Sequence, residues 1–573
     1  MKSYKNQWLV TKVDDATSKK LALDLKISIE LSKILVSRGI TDFSSAEHYF
    51  RPKKQHFHNA FLMKGMDISV LRLRSAVEEN QNILIYGDYD VDGTCSVALM
   101  VRFLKKINAS VQYYQPHRET EGYGISLKSV QWSVKNKIDL VIALDCGIKD
   151  LLAAEDLKKN NIDLIICDHH KPGEELPKAF TILNPKQEEC KYPFKELCGC
   201  GIGLKLVQAY VEKFNLQFNF SSLYQLAAIA TAADVVPLKD ENRLITYLGL
   251  KEINFSPINP LKILFTTLKK EGSIDIGDLI FKVAPRINAA GRLDTAILAA
   301  DFLISDSKEA IVSFKEIEKN NEHRKSLDEQ TTLQAIEFLN NQPKKRFSNF
   351  VYSNKWHKGV VGIVASRIIE KYYKPTIVLT GDGDVLTGSA RSVKDFDIYS
   401  ILNSLKHYFI RFGGHKYAAG LSLKKENLEP FKKAFEDEVK KRIKKENLVP
   451  KIHIDHELTL NTLFEDVNSQ NHPKIFRIIQ QMEPFGAGNP KPIFIFKNLI
   501  NYSSPKIVGE NHIKFQFSNT QKENTINGIW FNSASSYELI NHQNQMEVVG
   551  SIDENIFRDH RSIQILIKDI RIV

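Results

Sequence analysis

Asp88, Asp90 and Asp92 stand at alternate positions where the run Ile83-Leu84-Ile85-Tyr86-Gly87 gives way to Asp88-Tyr89-Asp90-Val91-Asp92-Gly93-Thr94. Carboxylates this close repel one another and lose hydration, so they sit together comfortably only around something positive. A solvated acidic turn at Gly93 is the plain alternative, and Asp-x-Asp alone does not decide between them. Three other segments supply similar groups: Leu144-Asp145-Cys146-Gly147, Cys167-Asp168-His169-His170 and Asp234-Val235-Val236-Pro237. Carboxylate oxygens suit hard divalent cations, and imidazole widens the choice towards manganese. Two cations ~3.5–4 Å apart need one shared carboxylate and two to three private ligands each, which Asp90, Asp92, Asp145, His169 and Asp234 provide if Asp145 bridges. Such a pair activates water and clamps a phosphoryl oxygen during in-line displacement.

Three further clusters have the chemistry of phosphate holders. Pro285-Arg286-Ile287-Asn288-Ala289-Ala290-Gly291-Arg292 sets two arginines around small residues. Gly388-Ser389-Ala390-Arg391-Ser392 joins hydroxyls to an arginine, and Gly413-Gly414-His415 offers backbone amides beside an imidazole. Arginine binds phosphate bidentately, and glycine lets N–H groups approach it. Other chemistries lack support. Cys190, Cys198 and Cys200 do not have structural-zinc spacing, and no Gly-x-Ser-x-Gly elbow is present. Lys358-Gly359-Val360-Val361-Gly362 opens a helix without the Gly-Lys-Ser/Thr ending of a Walker loop.

The elements that must position these groups follow from periodicity. Ile83–Tyr86, Val111–Tyr114, Leu140–Leu144, Leu164–Cys167 and Thr181–Leu183 read as short buried strands. Thr94–Lys106, Ser126–Asn136 and Lys149–Asn160 carry helical spacing between them, so the α/β class with a doubly wound, mostly parallel sheet is expected. Acids at such strand ends fall where open α/β sheets bind ligands. A long charged helix begins near Ser307 and reads as a solvated spacer. A second α/β unit follows, with Phe350–Ser353 and Thr376–Leu379 as strands and Gly362–Tyr372 as a helix. Lys424–Lys451 reads as helical. Beyond Ile452, Ile493–Phe496, Ile513–Phe517, Gly528–Phe531, Met546–Ser551 and Ile563–Ile567 suggest a small β-barrel.

Composition narrows the partners. Of 573 residues, 43% are hydrophobic and 26% charged, ordinary for a globular protein. The net charge of +11 favours a polyanion, although the acid cluster runs against it. No apolar stretch approaches the ~18 residues of a membrane helix. The start, Met1-Lys2-Ser3-Tyr4, lacks a signal-peptide pattern, and the six cysteines form no CxxC pair, so a cytoplasmic protein is expected.

Taken in order, Gly87-Asp88-Tyr89-Asp90-Val91-Asp92-Gly93, Leu144-Asp145-Cys146-Gly147, Asp168-His169-His170 and Ala233-Asp234-Val235-Val236-Pro237 resemble the four motifs of the DHH phosphoesterase superfamily. Ser389-Ala390-Arg391-Ser392 and Gly413-Gly414-His415 resemble its associated domain. The Asp-Tyr-Asp-Val-Asp-Gly form, the Arg286–Arg292 run, Glu483-Pro484-Phe485-Gly486-Ala487-Gly488-Asn489-Pro490 and a C-terminal barrel resemble the RecJ family of single-strand-specific 5′→3′ DNA exonucleases. The resemblance implies a DHH catalytic domain at 70–306 after an N-terminal region at 1–69. A connecting helix at 307–342, a DHH-associated domain at 343–450 and an OB-like nucleic-acid-binding domain at 451–573 would follow. It implies two Mn2+ or Mg2+ ions on Asp90, Asp92, Asp145, His169 and Asp234, with Asp88 beside one of them. It makes His170 a contact to the scissile phosphate or the leaving group, and Arg286, Ser389, Arg391, Gly414 and His415 phosphate-binding positions. Single-stranded DNA is the implied substrate, with a RecQ-type helicase and a single-strand-binding protein as partners of a monomer.

Two other readings stay in play. A DHH phosphodiesterase for oligoribonucleotides or cyclic dinucleotides would be shorter and need no barrel. A non-catalytic scaffold of the same fold would lose metal carboxylates, all of which are present.

Overall fold

The computed structural model describes residues 6–118, 120–293, 296–343, 345–540, 545–557 and 560–573, without the side chains of residues 292, 293, 539, 557 and 560. The first strand, β1 (Gln7–Val10), runs parallel to Lys451–Ile454 from the far end of the chain. The helices behind it contribute Leu21, Leu31, Ile34, Leu35 and Ala46 to the hydrophobic core of the C-terminal barrel. The described residues up to Phe50 are therefore packed as part of the barrel unit, about 400 residues of chain away from it, whereas Ala60, Met63 and Met66 join the core of the first lobe.

The first α/β lobe is built on five parallel strands: β2 (Ile83–Gly87), β3 (Val111–Tyr114), β4 (Leu140–Leu144), β5 (Asp163–Cys167) and β6 (Thr181–Leu183). Their order is β3-β2-β4-β5-β6. Strands β2 and β4 are buried throughout, as apolar runs covered on both faces should be. Helices α1 (Val91–Lys106), α2 (Leu127–Lys135) and α3 (Leu151–Lys159) follow strands. Helices α4 (Gly199–Lys213), α5 (Ser221–Ala233) and α6 (Asp240–Phe255) complete the cover. The expected turn at Gly93 is instead the first turn of α1, which starts three residues earlier than the apolar spacing predicts. Asp90 caps it by accepting from the Gly93 N–H at 3.0 Å. A Cβ on Gly93 would lie 2.3 Å from the Asp88 carbonyl oxygen, so only glycine lets the helix start this close to the strand end.

Helix α7 (Ala284–Leu293) leads to α8 (Ala310–Asn340), the long connector. Its face is not simply solvated: Asn321, Arg324, Asp328, Thr331 and Thr332 form a buried polar row. Arg367 of the second lobe reaches Asp328 at 2.6 Å. The second lobe has a five-stranded mixed sheet, order β10-β11-β9-β8-β7. Its members are β7 (Asn349–Tyr352), β8 (Thr376–Thr380), β9 (Val385–Arg391), β10 (Phe409–His415) and β11 (Ala418–Lys424). Helix α9 (Val361–Tyr372) packs on this sheet, and α10 (Leu428–Arg442) is shorter than the Lys424–Lys451 run predicts. The cause lies at both ends: Lys424 belongs to β11, and the chain turns extended at Ile443 to reach β12 (Lys451–Ile454).

The barrel comprises β14 (Phe494–Val508), β15 (His512–Ser518), β16 (Thr525–Trp530), β17 (Met546–Phe557) and β18 (His560–Ile572), with β13 (His456–Glu457) pairing alongside β14. The order β14-β15-β16-β18-β17 closes through a β14–β17 pairing, which removes the sheet edges.

Candidate active site

The acids converge at the C-terminal edge of the parallel sheet. Asp88 follows β2 directly and is buried. Asp92, in the first turn of α1, accepts hydrogen bonds from the N–H groups of Gly199 (2.6 Å) and Cys200 (2.8 Å). Those are the unpaired donors at the start of α4, so a helix N-terminus holds this carboxylate in place. Asp145 follows β4 with φ +61°, a left-handed conformation uncommon for a non-glycine residue. It is fixed there from both sides of its peptide: its N–H donates to Cys167 and its carbonyl accepts from the Tyr123 hydroxyl. Asp234 ends α5.

Three interlocking donor sets result, each with ligand atoms within 4.8 Å of one another: Asp88/Asp90/Asp145, Asp92/His169/Asp234 and Asp145/His169/His170. Every metal ligand expected from the sequence is in one of them, and Asp88 joins Asp90 and Asp145 as a full member. His169 Nε2 lies 3.2 Å from Asp145 and 3.7 Å from Asp234, yet it has no hydrogen-bond partner among the described residues. Asp88 Oδ1 is likewise buried and unpartnered.

Electrostatics shows what the pocket suits. Two carboxylates ~4 Å apart repel by about 4 kcal/mol at an effective dielectric of ~20. Burial, then Asp90, pushes Asp92 up to about 6, even with two backbone donors. Burial, then Asp92 and Asp90, pushes Asp234 up to about 9. Burial and neighbouring acids raise Asp88 and Asp145 well above the carboxylate range. Burial, then His170, pulls His169 down to about 3, leaving a neutral imidazole with a free nitrogen. A pocket of acids that cannot all ionise, with orphaned oxygen and nitrogen donors, fits divalent cations.

His170 is set apart. Its Nδ1 lies 2.8 Å from Asp168, which is fully buried and also accepts from the Ile148 and His170 N–H groups. Burial lowers the His170 pKa, but the Asp168 pair and the nearby acids outweigh it and leave it raised. The Tyr123 hydroxyl sits 3.0 Å from the same ring, while the tyrosine remains 51% exposed at the rim. Asp168 has no assigned role in the sequence analysis. Asp168 lay inside a quoted motif, where the buried strand before it was the available signal.

The second lobe presents its groups on one sheet face. Register aligns Ser389 with Gly420 and Gly413, and Arg391 with Ala418 and His415. Arg391 Nη1 donates to Ser389 Oγ at 2.6 Å. A Cβ on Gly362, in the first turn of α9, would come 3.1 Å from Arg391 Nη2 and 3.3 Å from Ser389 Oγ, so the start of this helix lies against both. Gly414 has φ +146° and abuts the Ala418 carbonyl, whereas Gly413 and Gly420 face open space. Arg118, on the first lobe, faces the second. It stacks 5.0 Å from the Tyr89 ring centroid, within electrostatic reach of both Asp88 and Arg391. Nothing around it in sequence marked it, because it stands on an exposed loop.

Arg286 is placed differently from its fellows. Its Nε and Nη2 hold Glu318 of α8 at 2.5 and 2.9 Å, and Nη1 donates to the Lys282 carbonyl. The Arg292 side chain lies outside the described residues. Of the aromatics on the barrel unit, Phe485 and Trp530 lean on its core, while Tyr502 and Phe531 are exposed.

Family models match three segments: the DHH family N-terminal domain at residues 82–232, the DHHA1 domain at 346–441 and the RecJ OB domain at 464–569. A single-stranded-DNA-specific exonuclease RecJ from Bacillus subtilis is 34% identical over 99% of this chain and 71% of its own length. The Salmonella typhimurium enzyme of the same name is 30% identical over 94% of this chain and 95% of its own. The crystal structure of RecJ in complex with Mn2+ from Thermus thermophilus superposes with a TM-score of 0.84 at 25% identity, covering 100% of this chain and 80% of that one.

Proposed function

Since the chain belongs to the RecJ family of single-stranded-DNA-specific exonucleases, we propose that it removes mononucleotides from the 5′ end of single-stranded DNA by two-metal phosphodiester hydrolysis, in repair and recombination. The observation that carries this reading is the interlocking of donor sets: Asp145 belongs to the Asp88/Asp90 set and, through His169, adjoins the Asp92/Asp234 set. Manganese or magnesium held there would activate a water and offset charge on the phosphoryl oxygens.

The chain's own groups divide the remaining work. Asp168 orients His170 and favours its protonated form, so His170 can deliver a proton to the leaving O3′. Arg391, Ser389 and the start of α9 hold a phosphate of the strand, with Arg118 facing it across the cleft. Gly414 and His415 extend that face, and Arg286 stays a phosphate-binding candidate only if substrate displaces Glu318. A cleft between two α/β lobes too narrow for duplex accounts for strand specificity; comparable rates on blunt duplex and single strands would sink that point. The same reading places the enzyme in the cytoplasm as a monomer, acting with a RecQ-type helicase and single-strand-binding protein. Among the described residues no helix is long and apolar enough to cross a membrane. Sedimentation as one 65.4 kDa species checks the monomer.

The test is timed digestion of long strands labelled at either end, with manganese, magnesium or chelator. A 5′ label should appear at once as mononucleotide, and chelator should stop hydrolysis while leaving strand binding. Failure beyond a few nucleotides would favour a phosphodiesterase for short substrates.

A further inference from the structure

The metal ligand Asp234 leads into Val235-Val236-Pro237-Leu238, and this short segment is gripped by the loop that precedes the barrel. The Leu238 N–H donates to the Ala487 carbonyl at 2.6 Å. A Cβ on Gly486 would fall 2.7 Å from Leu238 Cδ1, and one on Gly488 (φ +71°) 3.2 Å from Pro237 Cβ. Residues 486–489 thus lie against the segment, and Gly486 and Asn489 close the loop on itself through paired backbone hydrogen bonds. On its other side Asn242 donates to the Pro237 carbonyl at 3.1 Å.

The loop itself is fastened by groups that catalysis does not use. Asn489 is buried. Its Nδ2 donates to the Met482 and Pro484 carbonyls, and its Oδ1 accepts from Arg38 Nη1 and the Tyr49 hydroxyl of the N-terminal region. Arg243, nine residues beyond Asp234 in the first turn of α6, spends its whole fork on carbonyls: Tyr49 from one side, Met482, Glu483 and Pro484 from the other. Its guanidinium also stacks 3.9 Å from the Tyr49 ring centroid. Buried guanidinium with carbonyl partners alone is a fastening, since bonds to charged donors are worth roughly 1.5–3 kcal/mol each.

We infer that the loop 483–490, locked by Asn489 and Arg243, is a positioning element for Asp234: docking of the barrel unit sets the backbone that aims this ligand at its ion. The inference rests on the two-metal reading above. It goes beyond that reading in making the ion at Asp92/His169/Asp234 depend on the barrel unit, while the ion at Asp88/Asp90/Asp145 is held within the first lobe alone. Loss of an outer support for a ligand commonly costs 10–100-fold in metal affinity.

The experiment titrates Mn2+ calorimetrically into the full chain and into Asn489→Ala, Gly488→Ala and Arg243→Lys. Melting in chelator establishes which variants are folded, and Gly488→Ala removes no side-chain hydrogen bond. In folded variants one of two ions should bind about 10–100-fold more weakly. The other ion, and single-strand affinity measured in chelator, should be unchanged. Parental binding of both ions in the folded variants overturns the inference, as does equal weakening of both. A parent protein that binds no pair of ions overturns the metal reading and this inference with it.

Discussion

The acid pocket of the first lobe and the glycine–arginine face of the second are built in opposite ways. In the pocket, the acids sit at the ends of buried parallel strands or on helix ends, and most are pinned by backbone donors or neighbours: the Asp92 side chain by α4, that of Asp90 by its own helix, and the Asp145 backbone by Cys167 and Tyr123. On the face, Gly413, Gly414 and His415 are exposed on an antiparallel hairpin, and Gly413 and Gly420 leave open space where side chains would stand. The difference matches the demands on each. Ions tolerate only a few tenths of an ångström in ligand distance. A strand that advances after each cut needs contacts that are shallow, repeated and easily released.

Mutations should separate the two regions, the pocket affecting turnover and the face affecting binding. The largest loss is expected from Asp145→Ala, which removes a carboxylate common to two donor sets. Several kcal/mol of transition-state stabilisation is roughly a 10³–10⁴-fold fall in kcat at unchanged strand affinity, read by single-turnover digestion and by binding in chelator. His170→Ala should cost about 10²–10⁴-fold in kcat, as removal of a general acid does. Asp168→Asn should act through His170: a smaller fall, with the alkaline limb of the rate profile moving to lower pH. The sign follows because Asp168 raises the His170 pKa, so losing it releases the proton earlier as pH rises. On the face, Arg391→Ala should raise KM about 10–100-fold, the worth of one charge-assisted contact of roughly 1.5–3 kcal/mol, with kcat at saturation little changed.

The smallest effect on turnover, and the sharpest discrimination, belongs to the Arg286–Glu318 pair. With Arg286 buried and Glu318 one-fifth exposed, Glu318→Ala should destabilise by about 1–3 kcal/mol through an uncompensated guanidinium, a discount on the roughly 3–5 kcal/mol of a fully buried pair. Thermal melting measures it. A lowered melting temperature with parental KM would make the pair structural, whereas a lowered KM would mean that Glu318 competes with a phosphate for Arg286.

What the sequence disclosed and what it hid follow from the same contrast. The acids were legible because a buried strand ending in carboxylates has few structural uses, and each of the five ligand candidates could be placed on a strand or helix end before the fold was known. Asp88 was the uncertain one; only geometry joined it to Asp90 and Asp145. Groups whose role depends on a partner far along the chain stayed hidden. Arg286 meets Glu318 on another helix, and Asn489 needs Arg38 and Tyr49. The N-terminal region was read as a separate segment because the β1–β12 pairing and the shared barrel core leave no local signal. The helix expected over Lys424–Lys451 ran too long because a lysine-rich run keeps helix propensity across a boundary that tertiary pairing sets.

The central claim is that the acids of one lobe and the arginine of the other act on the same strand with different duties. Single-turnover digestion of a 5′-labelled strand by Asp145→Ala and Arg391→Ala, across enzyme concentration, tests it most directly. Asp145→Ala should reach saturation at the parental concentration and cleave roughly 10³–10⁴-fold more slowly, while Arg391→Ala should need more enzyme and then approach the parental rate. Parental cleavage by Asp145→Ala, or a rate defect in Arg391→Ala that saturation does not relieve, would contradict it.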